Sequence, residues 1–344
     1  MFATGDEDNA RNDCSRWWED IGTMINQARC GVLAAISGVA LLLATPAFAD
    51  TALIIGKANA TSDAIIPVNV GDQLGIFKKH GLDLKIIDFG GGGKAAQAMA
   101  AGAMDIEDGA GTEMAFIVKG DPMLAVCEST APAPFMAIGV PWDSPIHSLK
   151  DLKGKIIGVS SPGSFSDWLA HELARKEGWG EDGVKTVGIG GATAATIAAF
   201  KAHQIDAEIG GASQFFAFEQ DQIGHLLSSV AAYEGNVASG MLFASNKLIA
   251  DNPDAIRAFV AGWIETVDYM RAHKAETVKI ESGITHFNEQ VMSREYDLVM
   301  GMFTKACQFD AESLQTLQRS FVQLKLLDTE PDMSKLYTEA YLPK

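Results

Sequence analysis

The sequence predicts an α/β protein made of two similar lobes. Strand-like and helix-like segments alternate from Thr51 onward and again from Lys155 onward, which is typical of mainly parallel sheets covered by helices. The 295 residues that follow position 49 lie near the size, ~250–300 residues, at which one hydrophobic core stops growing and a chain divides. A unit of turn, helix and strand also recurs after 101 residues, so we expect the two halves to share one architecture.

The first 49 residues are expected to be absent from the functional protein. Residues 24–49, MINQARCGVLAAISGVALLLATPAFA, combine a basic start, an apolar run too short to span a bilayer and a small-residue cleavage pattern, as secretory signal peptides do. We expect cleavage after Ala49, export to the periplasm and, with no cysteine just after the cut, no lipid anchor. Residues 1–23 are too acidic for a signal peptide, which favours Met24 as the true start and leaves open whether this extension is translated.

Charge and cysteine content narrow the classes of partner. The net charge is −17 for the whole chain and −14 without residues 1–49, which opposes binding to nucleic acid or to anionic membranes. Small molecules or proteins are therefore the expected partners. Cys127 and Cys307 are the only cysteines after position 49, and we expect them to be buried thiols rather than a disulfide.

The first half contains a glycine run at a turn from strand to helix. Its predicted elements are strand 51–58, helix 67–81, strand 82–89, helix 94–102 and strand 104–109. The run GGGGK, residues 90–94, lies between an apolar strand and an alanine-rich helix. Backbone N–H groups at a helix N-terminus bind anions and polar ligand atoms, so this turn is a candidate ligand contact.

The second half repeats this order of elements. They are strand 156–161, helix 164–178, strand 185–190, helix 193–204 and strand 205–211. A shift of 101 residues aligns Asp105 with Asp206 and Glu107 with Glu208. Beyond the repeat, a strand through 241–249 precedes a helix over 252–273 whose apolar face is expected to pack in the core.

Small polar turns follow several of the predicted strands. In open parallel sheets, ligands bind beyond the carboxyl ends of the strands, so these turns on both halves predict one shared site. The candidate binding residues are Asn59, Ser62, Gly91, Gly92, Lys94, Thr112, Ser160, Ser164, Phe165, Ser166, Thr193, Gly211 and Gln214.

Known catalytic motifs are incomplete in this chain. A phosphate loop fails because Asp88 and Ala95 stand where a glycine and a Ser or Thr are required. The segment HELAR has Arg175 in place of the second zinc-binding histidine, and GVSSP has Pro162 where a nucleophile elbow needs glycine. We therefore expect no catalytic residue, no metal site and no cofactor.

Four segments resemble the substrate-binding proteins of ABC importers for nitrate, sulfonates, taurine and pyrimidine precursors. The most specific is SLKDLKGKIIGVSSPGSFSDWLAHELARKEGW at 148–179, and the others are 75–106, 252–270 and 334–342. The resemblance extends over nearly the whole chain after residue 49. It implies a type II periplasmic-binding-protein fold, in which two α/β lobes joined by two crossing strands enclose the ligand cleft.

The resemblance also implies domain limits and a function. Lobe 1 would comprise residues 50–139 and 237–344, and lobe 2 residues 140–236. The protein would be a monomer that captures a small organic ligand (sulfonate, taurine-like or heterocyclic) by hinge closure and delivers it to an ABC permease in the inner membrane. Two alternatives stay open, namely an enzyme like the pyrimidine-precursor synthases on the same fold, and a binding protein that serves a membrane sensor.

The chain departs from the family pattern at the predicted site. Phe165 and Asp167 stand where relatives commonly have threonine and histidine, and Gly211 and Ser213 replace a frequent tryptophan and proline. These departures predict a roomier pocket in which Phe165 supplies the stacking surface.

Five carboxylates lie near the predicted strand ends, and Lys57 and Lys94 are the only nearby bases. These carboxylates are Glu107, Asp108, Glu113, Asp167 and Glu208. If they face the cleft, they disfavour an inorganic anion such as nitrate and favour an amine-bearing or zwitterionic ligand. Alternatively, they are solvated carboxylates on the rim.

Overall fold

The computed structural model describes residues 50–58, 64 and 66–344, which contain two five-stranded sheets. The predicted signal peptide, Asn59 and Ser62 lie outside these described residues. Strands of the first sheet are β1 (Thr51–Lys57), β2 (Leu82–Asp88), β3 (Ile106–Gly109), β4 (Met123–Thr130) and β10 (Gly240–Ser245). Strands of the second sheet are β5 (Met136–Pro141), β6 (Ile156–Val159), β7 (Lys185–Gly188), β8 (Ala207–Gly211) and β9 (Gly224–Ser229).

The two sheets have the same strand arrangement, as the repeat predicts. The order is β2-β1-β3-β10-β4 in the first sheet and β7-β6-β8-β5-β9 in the second. In each sheet the first three strands are parallel, and the fourth runs antiparallel to both of its neighbours. The predicted fold class is confirmed, with two mixed α/β sheets in two lobes.

The helices of the two halves also correspond. The first half has α1 (Pro67–Gln73), α2 (Ile76–Lys79), α3 (Gly92–Ala100) and α4 (Met114–Val118). The second half has α5 (Phe165–Lys176), α6 (Thr193–Lys201) and α7 (Ala212–Gln220). The predicted helix 67–81 is divided in two because Gly75 takes φ 67°, a left-handed conformation that interrupts the helical ladder.

The aligned aspartates perform the same task in both lobes. Asp105 accepts a hydrogen bond from the Ile54 backbone N–H at 2.8 Å, and Asp206 accepts one from the Ile156 N–H at 2.9 Å. Each carboxylate thereby joins the start of one strand, β3 or β8, to its parallel neighbour in the sheet, β1 or β6. The repeat seen in the sequence is thus a repeat of structure.

Two segments connect the lobes side by side. Residues 131–135 lead from β4 to β5, and residues 230–239 lead back from β9 to β10. Ser239 joins them: its hydroxyl donates to the Pro132 carbonyl at 3.1 Å, and it also lies 2.9 Å from the hydroxyl of Thr130, the last residue of β4. The domain limit expected after residue 139 falls inside β5, a strand that pairs with β8 and β9 of the second sheet.

The C-terminal helices pack on both lobes. They are α8 (Asn246–Asp251), α9 (Pro253–Ala272), α10 (Lys274–Thr285), α11 (Glu289–Val299) and α12 (Ala311–Gln323). The predicted apolar face of α9 is buried in the core, with Phe259, Val260 and Trp263 at most 1% exposed. By contrast, Val278 and Met292 share a buried cluster with Phe215 of α7, so part of the segment expected with lobe 1 packs on lobe 2.

The two cysteines form a disulfide, so the expectation of separate buried thiols was wrong. Cys127 on β4 and Cys307 are bonded across a separation of 180 residues, and both are almost fully buried. The sequence offered no local sign of this pair because the partner of the β4 cysteine comes from the C-terminal region. No described helix has the combination of length and hydrophobicity that crossing a bilayer requires.

Candidate functional site

A cavity of about 130 Å³ lies between the two lobes, where the carboxyl ends of both sets of parallel strands meet. Its walls include Ala58 after β1, Gly92 after β2 and Glu113 after β3, together with Ser160 after β6 and Gly211 at the end of β8. This volume is below the ~300–1,000 Å³ of sites for drug-sized ligands, so the cavity suits a molecule of few atoms. Strand-end turns of both lobes therefore build one site, as the sequence predicts.

The glycine run of lobe 1 has a conformation and a close contact that exclude side chains. Gly90 and Gly91 have φ angles of 64° and 145°, and the Gly91 N–H donates to the Ala58 carbonyl at 2.5 Å. A β-carbon on Gly92, the first residue of α3, would overlap the Glu113 carboxyl. The run therefore turns the chain tightly and lets Glu113 reach the cavity wall.

Three serine hydroxyls form the corresponding corner of lobe 2. The Ser166 Oγ accepts from the Ser160 N–H at 3.0 Å and lies 3.0 Å from the Ser164 Oγ. Ser164 also caps α5, since its hydroxyl accepts from the Asp167 N–H at 3.3 Å. All three serines line the cavity and can donate to or accept from a polar ligand.

Aromatic side chains supply the apolar wall. Phe165 lines the cavity and stacks on Trp168, with ring centroids 5.8 Å apart and an angle of 24° between the rings. Phe135 and Phe287 also line it, from the crossing segment and from the loop between α10 and α11. An aromatic surface is thus present in the cavity even though Gly211 contributes no side chain to it.

Two buried glutamates, one from each lobe, face the cavity. Glu208 accepts from the Thr196 hydroxyl at 3.0 Å and from the Gln214 amide at 2.7 Å. Glu113 accepts from the Thr112 hydroxyl at 3.0 Å. Burial raises the pKa of each carboxyl to about 7, because the charged form loses its hydration, although these hydrogen bonds act in the opposite direction.

A second layer of ionisable groups lies behind the lobe 1 wall. Burial, with a smaller contribution from Glu113, raises the pKa of Glu107 well above its usual range, and burial also raises that of Asp108. Burial lowers the pKa of Lys57, whose ammonium donates to the Asn69 side chain at 2.5 Å. The carboxylates predicted near the strand ends are therefore buried, and the alternative of a solvated rim is wrong.

Most predicted binding residues that the structure describes line the cavity. These are Gly91, Gly92, Ser160, Ser164, Phe165, Ser166, Gly211 and Gln214. Lys94 is exposed and lies outside the lining, and so does Thr193 at the start of α6. Thr112 is buried and contacts Glu113 instead of the cavity.

Several cavity residues escaped prediction because they come from distant segments. Phe135 and Ser239 belong to the two crossing segments, and Phe287 follows α10. Glu113 and Glu208 were identified as nearby carboxylates but not as binding residues. The available signal was their distance from a strand-end glycine: Glu113 follows Gly109 by four residues and Glu208 precedes Gly210 by two, and both glycines line the cavity.

Comparison with known proteins agrees with this architecture. The family model described as NMT1/THI5 like matches residues 63–277. A protein of Brucella abortus (strain 2308) named "Putative binding protein" is 25% identical over 217 residues, which are 61% of this chain and 65% of that protein. The chain thus spans less than two thirds of the length of the curated relatives it matches.

Two solved structures share the fold. The alkanesulfonate-binding protein SsuA from Xanthomonas axonopodis pv. citri, bound to MOPS, has a TM-score of 0.70 at 19% identity and covers 84% of this chain and 98% of its own. The periplasmic nitrate-binding protein NrtA from Synechocystis PCC 6803 has a TM-score of 0.67 at 15% identity, and the match covers 85% of this chain and 87% of NrtA. At these identities the likeness concerns the fold.

Proposed function

The chain belongs to the NMT1/THI5-like family, and from this membership and the cleft we propose that it is the solute-binding protein of an ABC importer. It captures a small organic molecule, of the sulfonate, taurine-like or heterocyclic kind, in the periplasm and delivers it to a permease in the inner membrane. The observation that carries the proposal is a cavity at the carboxyl ends of the parallel strands, whose walls come from both lobes. The two solved structures of the same fold, both named as binding proteins, support it.

Closure of the lobes follows from this geometry. A ligand that contacts Gly92 of lobe 1 and Ser164 of lobe 2 gains both sets of contacts only when the lobes are together, so it binds the closed state more tightly. That difference in affinity shifts the population toward the closed form. The crossing segments, joined through Ser239 and Pro132, are short enough to act as the hinge.

The cavity offers contacts for recognition. Polar atoms of a ligand can bind to the hydroxyls of the serine corner (Ser160, Ser164 and Ser166), to the Gln214 amide and to the backbone N–H groups at the start of α3. The phenylalanine side chains contact the apolar atoms of the ligand. Among the described lining residues there is no cysteine and no histidine. The groups present suit binding and release of an unchanged molecule.

Native mass spectrometry tests the proposed function. The protein isolated from the periplasm of its own cells is expected to retain one small molecule, and small-angle X-ray scattering is expected to show a smaller radius of gyration with that molecule than without it. The proposal fails if the protein chemically converts the molecule, or if the bound and free forms have the same dimensions and no permease co-purifies.

A further inference from the structure

The ionisable side chains of the described cavity wall are all acidic. Among the described residues that line it, Glu113 and Glu208 are ionisable, and none is lysine, arginine or histidine. These two carboxyls come from opposite lobes and are each at most 3% exposed. An anionic ligand would therefore meet two acidic groups and no basic side chain of the described lining.

The basic residues of the lobe 1 turns are held away from the cavity. The Lys57 ammonium donates a hydrogen bond to the Asn69 side chain. Lys57 is only 3% exposed and is not one of the residues that line the cavity. Lys94 is exposed in the first turn of α3 and is also absent from the lining. Neither lysine therefore belongs to the cavity lining, where a ligand anion would bind.

Equivalent positions of the two lobes differ in hydrogen-bond donors. The 101-residue shift that aligns Glu107 with Glu208 also aligns Glu113 with Gln214 and Ala95 with Thr196. In lobe 2, Gln214 and Thr196 both donate to Glu208. In lobe 1 the same positions hold a carboxyl and a methyl group, which supply no such donor.

At these positions, the lobe 1 wall therefore lacks the two donors that serve Glu208 in lobe 2. Both carboxyl oxygens of Glu107 are buried without a hydrogen-bond partner among the described residues. The carboxyls of Glu107 and Glu113 both approach Gly109, which lines the cavity, at 3.2 Å and 3.3 Å from the position that a β-carbon there would take. Buried acceptors without donors are costly, so a donor arriving from the cavity would be stabilised strongly.

We propose that the ligand carries a protonated nitrogen, as an amine or amidine does, and that this group binds between the Glu113 and Glu208 carboxylates. The inference rests on the proposed function, since it specifies the ligand of the same cleft. A net cation or a zwitterion fits. In a zwitterion, the acidic group would lie at the serine corner of lobe 2 or at the backbone N–H groups of α3.

Ionisation of the glutamates provides a signature of this binding mode. Because the pKa of each lining carboxyl is about 7, both are partly protonated at neutral pH, and a cation that binds them releases protons. The ionisable group that interacts with Glu113 is Glu107 on β3, which also interacts with Asp121 after α4 and with Asp108, the neighbour of Lys57. Glu208 contacts the uncharged Thr196 and Gln214.

Pairs of probe molecules that differ in one group test whether the amino nitrogen is what the cavity recognises. Taurine and isethionate differ by an amino group in place of a hydroxyl, and so do benzylamine and benzyl alcohol. Thermal unfolding with each probe, and with nitrate and methanesulfonate, is expected to show a rise in Tm for the amine of at least one pair and none for its oxygen analogue. Titration calorimetry in two buffers of different ionisation enthalpy is expected to show proton release, with affinity that increases from pH 6 to pH 8.

Glu113→Gln is the variant that tests the contact. It removes the charge with little change in shape, and we expect the amine to bind at least about tenfold more weakly with less proton release. Glu128→Gln is the matched control, because Glu128 is also buried, has a pKa raised to about 7 and lies outside the cavity lining. Its affinity for the amine is expected to equal that of the unmodified protein.

In the experiments with probes and variants, three outcomes would overturn the inference. They are a lack of stabilisation by every amine, binding of nitrate or methanesulfonate with proton uptake, and unchanged amine affinity in Glu113→Gln. A retained periplasmic molecule without a basic nitrogen would contradict the inference and leave the proposed function intact. The absence of any retained molecule, together with no response to any probe, would contradict both.

Discussion

Gly92 lies where the end of β2, the start of α3 and the Glu113 carboxyl meet. A methyl group at this position would occupy the space of that carboxyl, whereas a methyl group on the next residue, Gly93, would meet no atom within 4 Å. Two adjacent glycines therefore have different physical roles. One permits an acidic group to approach the backbone, and the other is a helical residue without a steric constraint.

Substitution at these glycines gives a prediction with its own control. Gly92→Ala is expected to displace Glu113 or the first turn of α3, to lower the free energy of unfolding by about 1–3 kcal/mol and to weaken ligand binding. Gly93→Ala is expected to be neutral or to stabilise by up to ~1 kcal/mol, because alanine favours the helix. Urea unfolding and calorimetric titration measure both, and equal effects of the two variants would contradict this account.

The buried glutamates make stability depend on pH. Burial raises the pKa of Glu208 from 4.5 to about 7. Between these two pH values the folded state therefore keeps a proton on Glu208 that the unfolded chain has released. This contribution to stability is fully present below about pH 4.5 and is lost as the pH rises through 7. Glu208→Gln should therefore reduce the loss of unfolding free energy between pH 5 and pH 8, by up to about 3 kcal/mol.

Urea unfolding of the unliganded protein at successive pH values measures this effect. The sign is decisive, since a carboxylate with a lowered pKa would make the protein more stable as the pH rises. Parallel pH profiles for the unmodified protein and Glu208→Gln would show that Glu208 does not ionise in this range.

At the scale of elements, helices α5 and α12 connect the lobes at the edge of the cleft. The Trp168 indole N–H of α5 donates to the Gln323 side chain at the end of α12, at 2.8 Å. Helix α12 packs on the first sheet, where Leu317 and Phe321 are buried with Phe243 of β10. This hydrogen bond joins elements of different lobes, so it stabilises the lobe arrangement seen here, in which both lobes line the cavity.

Removal of this bond should favour the open form. We expect Gln323→Ala to weaken ligand binding by about two- to tenfold, the value of one modest hydrogen bond, while the lobes stay folded. Gln318→Ala is the control, because Gln318 lies on the same helix and donates to the Pro331 carbonyl. Scattering and calorimetry compare the variants, and an equal loss of affinity in both would rule out a role in closure.

At the scale of the whole molecule, the disulfide joins β4 to the C-terminal region. Cys127 and Cys307 close a loop of 180 residues that includes the whole second sheet. Closing so long a loop reduces the conformational freedom of the unfolded chain. The bond also suits a protein that folds in an oxidising compartment.

Loss of the disulfide should be costly. The double variant Cys127→Ala with Cys307→Ala is expected to unfold at a lower urea concentration, with a free energy of unfolding reduced by about 2–4 kcal/mol. Addition of dithiothreitol should lower the stability of the unmodified protein and leave the double variant unchanged. Sensitivity of the double variant to the reductant would contradict this explanation.

Local signals made much of the site predictable. A glycine run after a strand, serines before a helix and a repeated order of strands can each be read from a few adjacent residues. They identified Gly92, Ser164 and Gln214, which the structure places in the cavity. Lys94 came from the same reasoning, and the structure places it on the exposed side of the first turn of α3, outside the cavity lining.

The alternation of strands and helices, the duplication of the lobes and the polar turns at strand ends could all be predicted from the amino-acid sequence. These follow from periodicity and turn chemistry, which act over a few residues. Three features required the folded structure: Phe287 faces the cavity, Cys127 bonds to Cys307, and the Glu113 carboxyl lies against Gly92. Such contacts depend on how distant segments pack, and no local pattern encodes the distance between them.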